Sequence, residues 1–83
     1  MQKVEIFYKA SVEKDLKKFD KKERIRILNK IEKELSSGII GKKLKGEFEG
    51  LYSYRLGDYR VVYSLIREGI LIIRIRHRKD VYK

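Results

Sequence analysis

Six of the eight arginines in this chain fall after residue 50, whereas the first half draws its positive charge mainly from lysine. The difference has chemical meaning. A guanidinium is a planar fork of N–H donors that grips phosphate bidentately and stays charged at any working pH. An ammonium is a hydrated point charge that suits a solvated helix face. Clustered arginines can therefore stabilise negative charge developing on phosphoryl oxygens, but they are poor at removing protons. Few other groups can do chemistry. His77 is the single histidine and there is no cysteine, so neither a thiolate site nor a multi-histidine metal centre can be assembled. No metal and no cofactor is expected.

Eighty-three residues make one domain, 1–83, with one modest core. Twenty-two Lys and Arg against twelve Asp and Glu leave a net charge of +10, which draws the chain toward polyanions such as nucleic acid. The longest apolar run is four residues, Ile70 to Ile73, far short of the roughly 20 that span a membrane. The opening Met-Gln-Lys-Val-Glu-Ile carries an acid where a signal peptide would be apolar. A cytoplasmic protein with no membrane partner is expected.

The elements that must position the arginines follow from periodicity. Lys3–Tyr8 alternates as a short strand. Ser11 is placed to cap a first helix with Val12, Leu16 and Phe19 at helical spacing, and Asp20 with Glu23 forms a capping box that starts a second. In the second helix Ile25, Leu28, Ile31 and Leu35 read as the core stripe, and Gly38 as its C-terminal stop. Ile27, Ile39 and Ile40 are left as spare apolar surface for a partner. Gly38–Gly50, with four glycines and Lys42, Lys43 and Lys45, reads as a mobile basic loop. Three strands follow: Leu51–Leu56, Tyr59–Ile66 and Ile70–His77. The expected fold is α+β, in the order βααβββ, with a small antiparallel-rich four-stranded sheet and two helices packed on one face.

Register arithmetic then shows where the charge goes. Gly57-Asp58 as a two-residue loop pairs Arg55 with Arg60 and Ser53 with Val62. Between the last two strands a two-residue loop would mix isoleucine and arginine on both faces. A three-residue loop, Arg67-Glu68-Gly69, pairs Tyr63 with Ile73, Val61 with Ile75 and Arg60 with Arg76. One face then carries Tyr52, Tyr54, Leu56, Tyr59, Val61, Tyr63, Leu65, Leu71, Ile73 and Ile75, and meets the helices. The other carries Ser53, Arg55, Arg60, Val62, Ser64, Ile72, Arg74 and Arg76, and is open. Opposed like charges cost a few tenths of a kcal/mol or more, so the row Arg55–Arg60–Arg76 calls for an anion. No acid lies on this face within the strands; Glu47, Glu49 and Asp80 are the flanking candidates. His77 falls on the helix side.

The stretch Gly50-Leu51-Tyr52-Ser53-Tyr54-Arg55-Leu56-Gly57-Asp58-Tyr59-Arg60-Val61-Val62-Tyr63 resembles the signature of the RelE/ParE toxin superfamily. The ending Ile75-Arg76-His77-Arg78-Lys79-Asp80-Val81-Tyr82 does so too, as does Lys14-Asp15-Leu16-Lys17-Lys18 after the first strand. The likeness covers essentially the whole chain and is strongest to the RelE branch. It implies a RelE-like fold and the toxin of a toxin–antitoxin pair, a metal-independent, ribosome-dependent endoribonuclease. Such an enzyme cuts mRNA in the A site through 2′-OH attack and is held inactive by a cognate acidic RelB-like antitoxin. A toxin–antitoxin heterotetramer is among the assemblies this allows. Two other readings share the fold, a ParE-like gyrase inhibitor that binds without catalysis and a catalytically weak RNA-binding module.

Carried over position by position, the resemblance makes Arg60 the contact to the scissile phosphate. Arg78 stabilises the transition state, and Tyr82 orients or stacks on the mRNA. Lys42, Lys43, Lys45, Ser53, Arg74 and Arg76 then serve RNA or ribosome binding. Arg55 stands where the best-known RelE has a lysine proposed as general base, and Ser53 replaces another lysine. The YoeB-type branch uses a glutamate shortly before Leu-Lys-Gly, where this chain has Lys42. The base is therefore open among His77, Lys43, Lys45 and a 2′-OH acting without a dedicated base.

Overall fold

The computed structural model describes residues 4–38, 41–77 and 79. Strand β1 (Glu5–Tyr8) leads into helices α1 (Ala10–Leu16) and α2 (Lys21–Leu35). The two-residue strand β2 (Lys42–Lys43) follows, then a 3-10 turn at Gly46–Phe48 and strands β3 (Leu51–Leu56), β4 (Tyr59–Ile66) and β5 (Gly69–His77). The sheet order is β1-β5-β4-β3-β2, with β1 parallel to β5 and the other pairs antiparallel. The α+β class and the helix pair stand as expected; the sheet has five strands rather than four. The extra strand comes from the segment read as a mobile loop. Lys42 and Lys43 pair with Ser53 and Tyr52, and the Leu44 N–H donates to the Leu51 carbonyl at 2.9 Å.

Helix α2 begins as its sequence dictates: Asp20 accepts from the Glu23 N–H at 2.8 Å. Gly38, at φ +91°, closes it by donating its N–H to the Leu35 carbonyl. The core stripe is rotated from the expected one. Ile27, Ile31 and Leu35 are buried, while Ile25 is 51% exposed, so Ile27 is core and not spare surface. Ile39 and Ile40 lie outside the described residues. Helix α1 starts at Ala10 after Lys9, without a side-chain cap. Ser11 does not cap it; its hydroxyl donates to the Ile73 carbonyl at 2.6 Å.

The core lies between the helices and the inner sheet face and contains Val12, Ile27, Ile31, Leu35, Leu56, Val61, Tyr63, Ile70, Ile72 and Ile75. The β3–β4 register is the expected one, with Arg55 opposite Arg60 and Leu56 opposite Tyr59. The last hairpin differs. Its loop is the two-residue Arg67-Glu68, since Ile66 pairs with Gly69 and Tyr63 with Ile72. A bulge then adds one residue on β5, so that Val61 still meets Ile75 and Arg60 still meets Arg76. The bulge does what the three-residue loop was invoked to do, but further along the strand. Ile70 and Ile72 therefore enter the core, and Ile73 turns outward. Gly69 sits beside β1, where an added Cβ would collide with the Glu5 carbonyl, so only glycine lets the two strands close.

Beyond Ile72, β5 has lost β1 as a neighbour, and α1 supplies the missing partners. Asp15, 3% exposed, accepts from the Ile75 N–H at 2.9 Å and from both Nε and Nη2 of Arg74, at 2.9 and 3.0 Å. Burial alone would raise the Asp15 pKa, but the bonds from Arg74 and Ile75 outweigh it and hold the carboxyl below its ordinary range. The unfolded chain therefore takes up this proton before the folded one does. Asp15 contributes its full stabilisation above the ordinary aspartate range and loses it as pH falls through the lowered folded value. Asp15→Asn should cost about 1–3 kcal/mol at neutral pH, the lower part of that range reflecting solvent screening at Arg74. The difference from wild type should shrink on acidification, read by urea denaturation at a series of pH values.

Candidate nucleic-acid interface

The open face of the sheet is built by alternation. Arg55, Arg60 and Arg76 occupy one row across β3, β4 and β5, and all three are solvent-exposed. Among the described side chains the one ion pair is Arg74–Asp15, so no described carboxylate reaches any member of this row. Glu49 is exposed and makes no such pair. Glu47, as a side chain, and Asp80 lie outside what is described. The carboxylate that does serve this region, Asp15, comes from helix α1 at the free edge of β5. Its sequence signal was available: an acid on the same helical face as Val12 and Phe19 needs a buried partner.

Beside the arginine row lies a groove of about 580 Å³ lined by Leu44, Phe48, Leu51, Ser53, Arg60, Val62, Ile73, Arg74 and Arg76. It brings together Ser53, Arg60, Arg74 and Arg76 and adds an apolar wall that periodicity did not show. Phe48 enters through the 3-10 turn and Ile73 through the bulge, neither of which follows from strand alternation. Arg74 reaches the groove with its guanidinium already engaged by Asp15, a bond that raises its pKa further. Arg55 shares the row but not the groove lining.

The lysines divide. Lys42 lies opposite Ser53, on the arginine side, whereas Lys43 lies opposite Tyr52 on the helix side, and Lys45 is exposed in the loop. His77 pairs with Tyr59 across the strands, and the two rings meet edge to face at 5.3 Å. Tyr59 in turn packs edge to face on Phe19, so His77 belongs to the helix side, as its register predicts. Its Nδ1 accepts the Lys79 N–H at 3.2 Å. The Tyr59 hydroxyl is pushed up to about 12 by burial and the nearby Glu23 carboxylate, which removes it as a base. Arg78 and Tyr82 lie outside the described residues.

A helix pair thus covers one face of a largely antiparallel sheet, and the other face carries Arg55, Arg60 and Arg76 without a described carboxylate. The family described as "ParE toxin of type II toxin-antitoxin system, parDE" matches residues 6–82. The chain belongs to this family. It is 39% identical over 46 residues to toxin RelG of Mycobacterium tuberculosis, a match covering 53% of each protein. The chain thus spans about half the length of the curated relative it matches. Solved structures cover more. The RelBE2 toxin–antitoxin complex of M. tuberculosis matches with TM-score 0.82 and 27% identity over 94% of both chains. The RelB–RelE complex of Methanococcus jannaschii matches with TM-score 0.67 and 30% identity, covering 92% of this chain and 94% of that one.

If the arginine row is an unrelieved repulsion, weakening it should not harm the fold. Arg60→Gln should leave stability unchanged or raise it by about 0.2–1 kcal/mol at low salt. The gain should fade as salt screens the row, a trend read from thermal melts at two ionic strengths.

Proposed function

We propose that this chain is a ribosome-dependent endoribonuclease, the toxin of a type II pair, that cleaves mRNA in the A site. The observation that carries the reading is the open row Arg55–Arg60–Arg76, whose guanidinium groups no described carboxylate neutralises. RNA brings its own nucleophile. The 2′-OH loses its proton and attacks the adjacent phosphorus, and the bond to the 5′ oxygen breaks. A 2′,3′-cyclic phosphate and a 5′-OH result, the leaving oxygen taking up a proton. What the protein must supply is charge stabilisation on the phosphoryl oxygens, and this reaction needs no metal. In this reading Arg60, with Arg76 beside it, supplies that stabilisation, and the resemblance adds Arg78, with Tyr82 holding the mRNA.

The base is not Arg55, which stays protonated. His77 is turned toward Tyr59 and away from the arginine face, so a lysine of the β2 loop or the substrate itself is favoured. The partner in this reading is an acidic RelB-like antitoxin, and a heterotetramer is among the assemblies it allows. With Ile27 buried, an apolar surface among the described helix residues is the groove of Leu16, Ile25 and Leu28, rimmed by Lys17, Lys21 and Arg24. The family description names the ParE toxin, and the resemblance to that branch gives a second reading, a gyrase inhibitor that binds without cutting. Against it, the helix pair is short, seven and fifteen residues, and the arginine row is intact.

Incubation with translating ribosomes, followed by mapping of mRNA 5′ ends, should reveal cleavage. Arg60→Ala should lower the rate about 10²–10³-fold with the fold retained. Full activity in that variant, or no cleavage by the wild type, overturns the reading. His77→Gln should change the rate little between pH 6 and 8, whereas Arg55→Lys should raise it. A His77 base would instead show a loss of about 10²–10⁴-fold.

A further inference from the structure

Among the described residues four large apolar side chains stay exposed: Phe7, Ile25, Phe48 and Leu65. Single exposed residues are ordinary and need no explanation. Phe48 differs in its company. It is 53% exposed and is the one of the four that shares a groove with three arginines. Its backbone is pinned as well. The Glu49 N–H donates to the Gly46 carbonyl at 3.0 Å, closing the 3-10 turn. Leu44 bonds to Leu51 at the base of the same loop. The ring is therefore presented at the groove by a closed turn whose base is tied to β3.

We propose that Phe48 is the platform on which a nucleobase of single-stranded RNA stacks while Arg60 and Arg76 hold the adjoining phosphate. This rests on the reading of the arginine face as an RNA surface and adds to it a base subsite. The groove has both halves of the chemistry that single-stranded nucleic acid requires, an aromatic face for bases and guanidinium groups for the backbone. Leu51, Val62 and Ile73 extend the apolar wall on which the base would rest. At about 580 Å³ the groove lies in the size range of ordinary ligand sites. An apolar peptide could also cover Phe48. The two arginines without a described carboxylate and the net charge of +10 favour the polyanion. Every base has a π-face, so the subsite should tolerate any base.

The test uses short oligoadenylate and oligouridylate, with an abasic oligomer of equal length and charge as control. Wild type should bind the base-bearing oligomers more tightly than the abasic one. Phe48→Ala should weaken only the base-bearing oligomers, by about 10–100-fold, and leave the salt dependence of binding unchanged. Arg60→Ala should weaken all three and flatten the salt dependence. The chain contains no tryptophan, so Phe48→Trp supplies a single indole that can be excited selectively over the tyrosines. Its emission should be quenched by base-bearing oligomers and not by the abasic one. Equal binding of all oligomers by wild type, or unchanged binding by Phe48→Ala, overturns the base subsite. Quenching in Phe48→Trp by an acidic peptide but not by RNA overturns it in favour of a protein partner. Loss on Arg60→Ala combined with no effect of Phe48→Ala would sink the subsite while sparing the RNA surface. No effect of either would sink both.

Discussion

The Asp15 carboxylate holds the arrangement on which everything else depends. Strand β1 stops at Tyr8, so the outer edge of β5 beyond Ile72 would face solvent with unpaired N–H and C=O groups. Helix α1 takes over that edge with its backbone and polar side chains. Lys9 donates to the Ile72 carbonyl, Ser11 to the Ile73 carbonyl, and Asp15 accepts from Ile75. A buried carboxylate in that position needs a cation, and Arg74 supplies it from β5 itself. The bulge sits at the same place. By spending one residue there, the strand brings Ile75 back to the core and returns Arg76 to the arginine side.

The two faces of the sheet then follow opposite rules. On the inner face polar atoms are paired: the Tyr63 hydroxyl accepts the Gly41 N–H at 2.6 Å, and Tyr54 donates to Glu34 at 2.6 Å. On the outer face Arg55, Arg60 and Arg76 are left without described carboxylates, and the cost of their mutual repulsion is carried by the folded state. A protein this small has little stability to spare. Three guanidinium groups without a described carboxylate are therefore a standing cost to this fold.

Much of this was legible in the residues. The β3–β4 register, the Asp20 cap and the Arg60–Arg76 pairing follow from alternation, turn chemistry and the need to segregate charge. The misreadings share one cause, which is that local patterns do not report tertiary competition. Ser11 suits a helix cap, but an unpaired strand carbonyl claimed its hydroxyl. Ile25 and Ile27 both fit a helical stripe, and only the angle at which α2 meets the sheet decides between them. Lys42 and Lys43 look like loop residues because two residues are too few to show a period. The bulge was invisible for the same reason, and Ile72 and Ile73 were exchanged with it. Asp15 was present in the pattern as an acid on an apolar face, a conflict that only a partner from 59 residues away resolves.

The place of β5 in the sheet has a consequence for how the chain comes to be folded. It is laid between β1 and β4, so the two most distant parts of the described chain must meet before the sheet can close. Contacts of such long sequence separation are slow to form, because loop-closure entropy is lost before they are gained. During synthesis β1 and both helices emerge first, and Ile27, Ile31 and Leu35 wait without their sheet until residues 69–77 follow. Arg74 and Arg76 arrive on that same last strand. A partly made chain would therefore have neither its core nor its full cationic row, and the two would be completed in a single event.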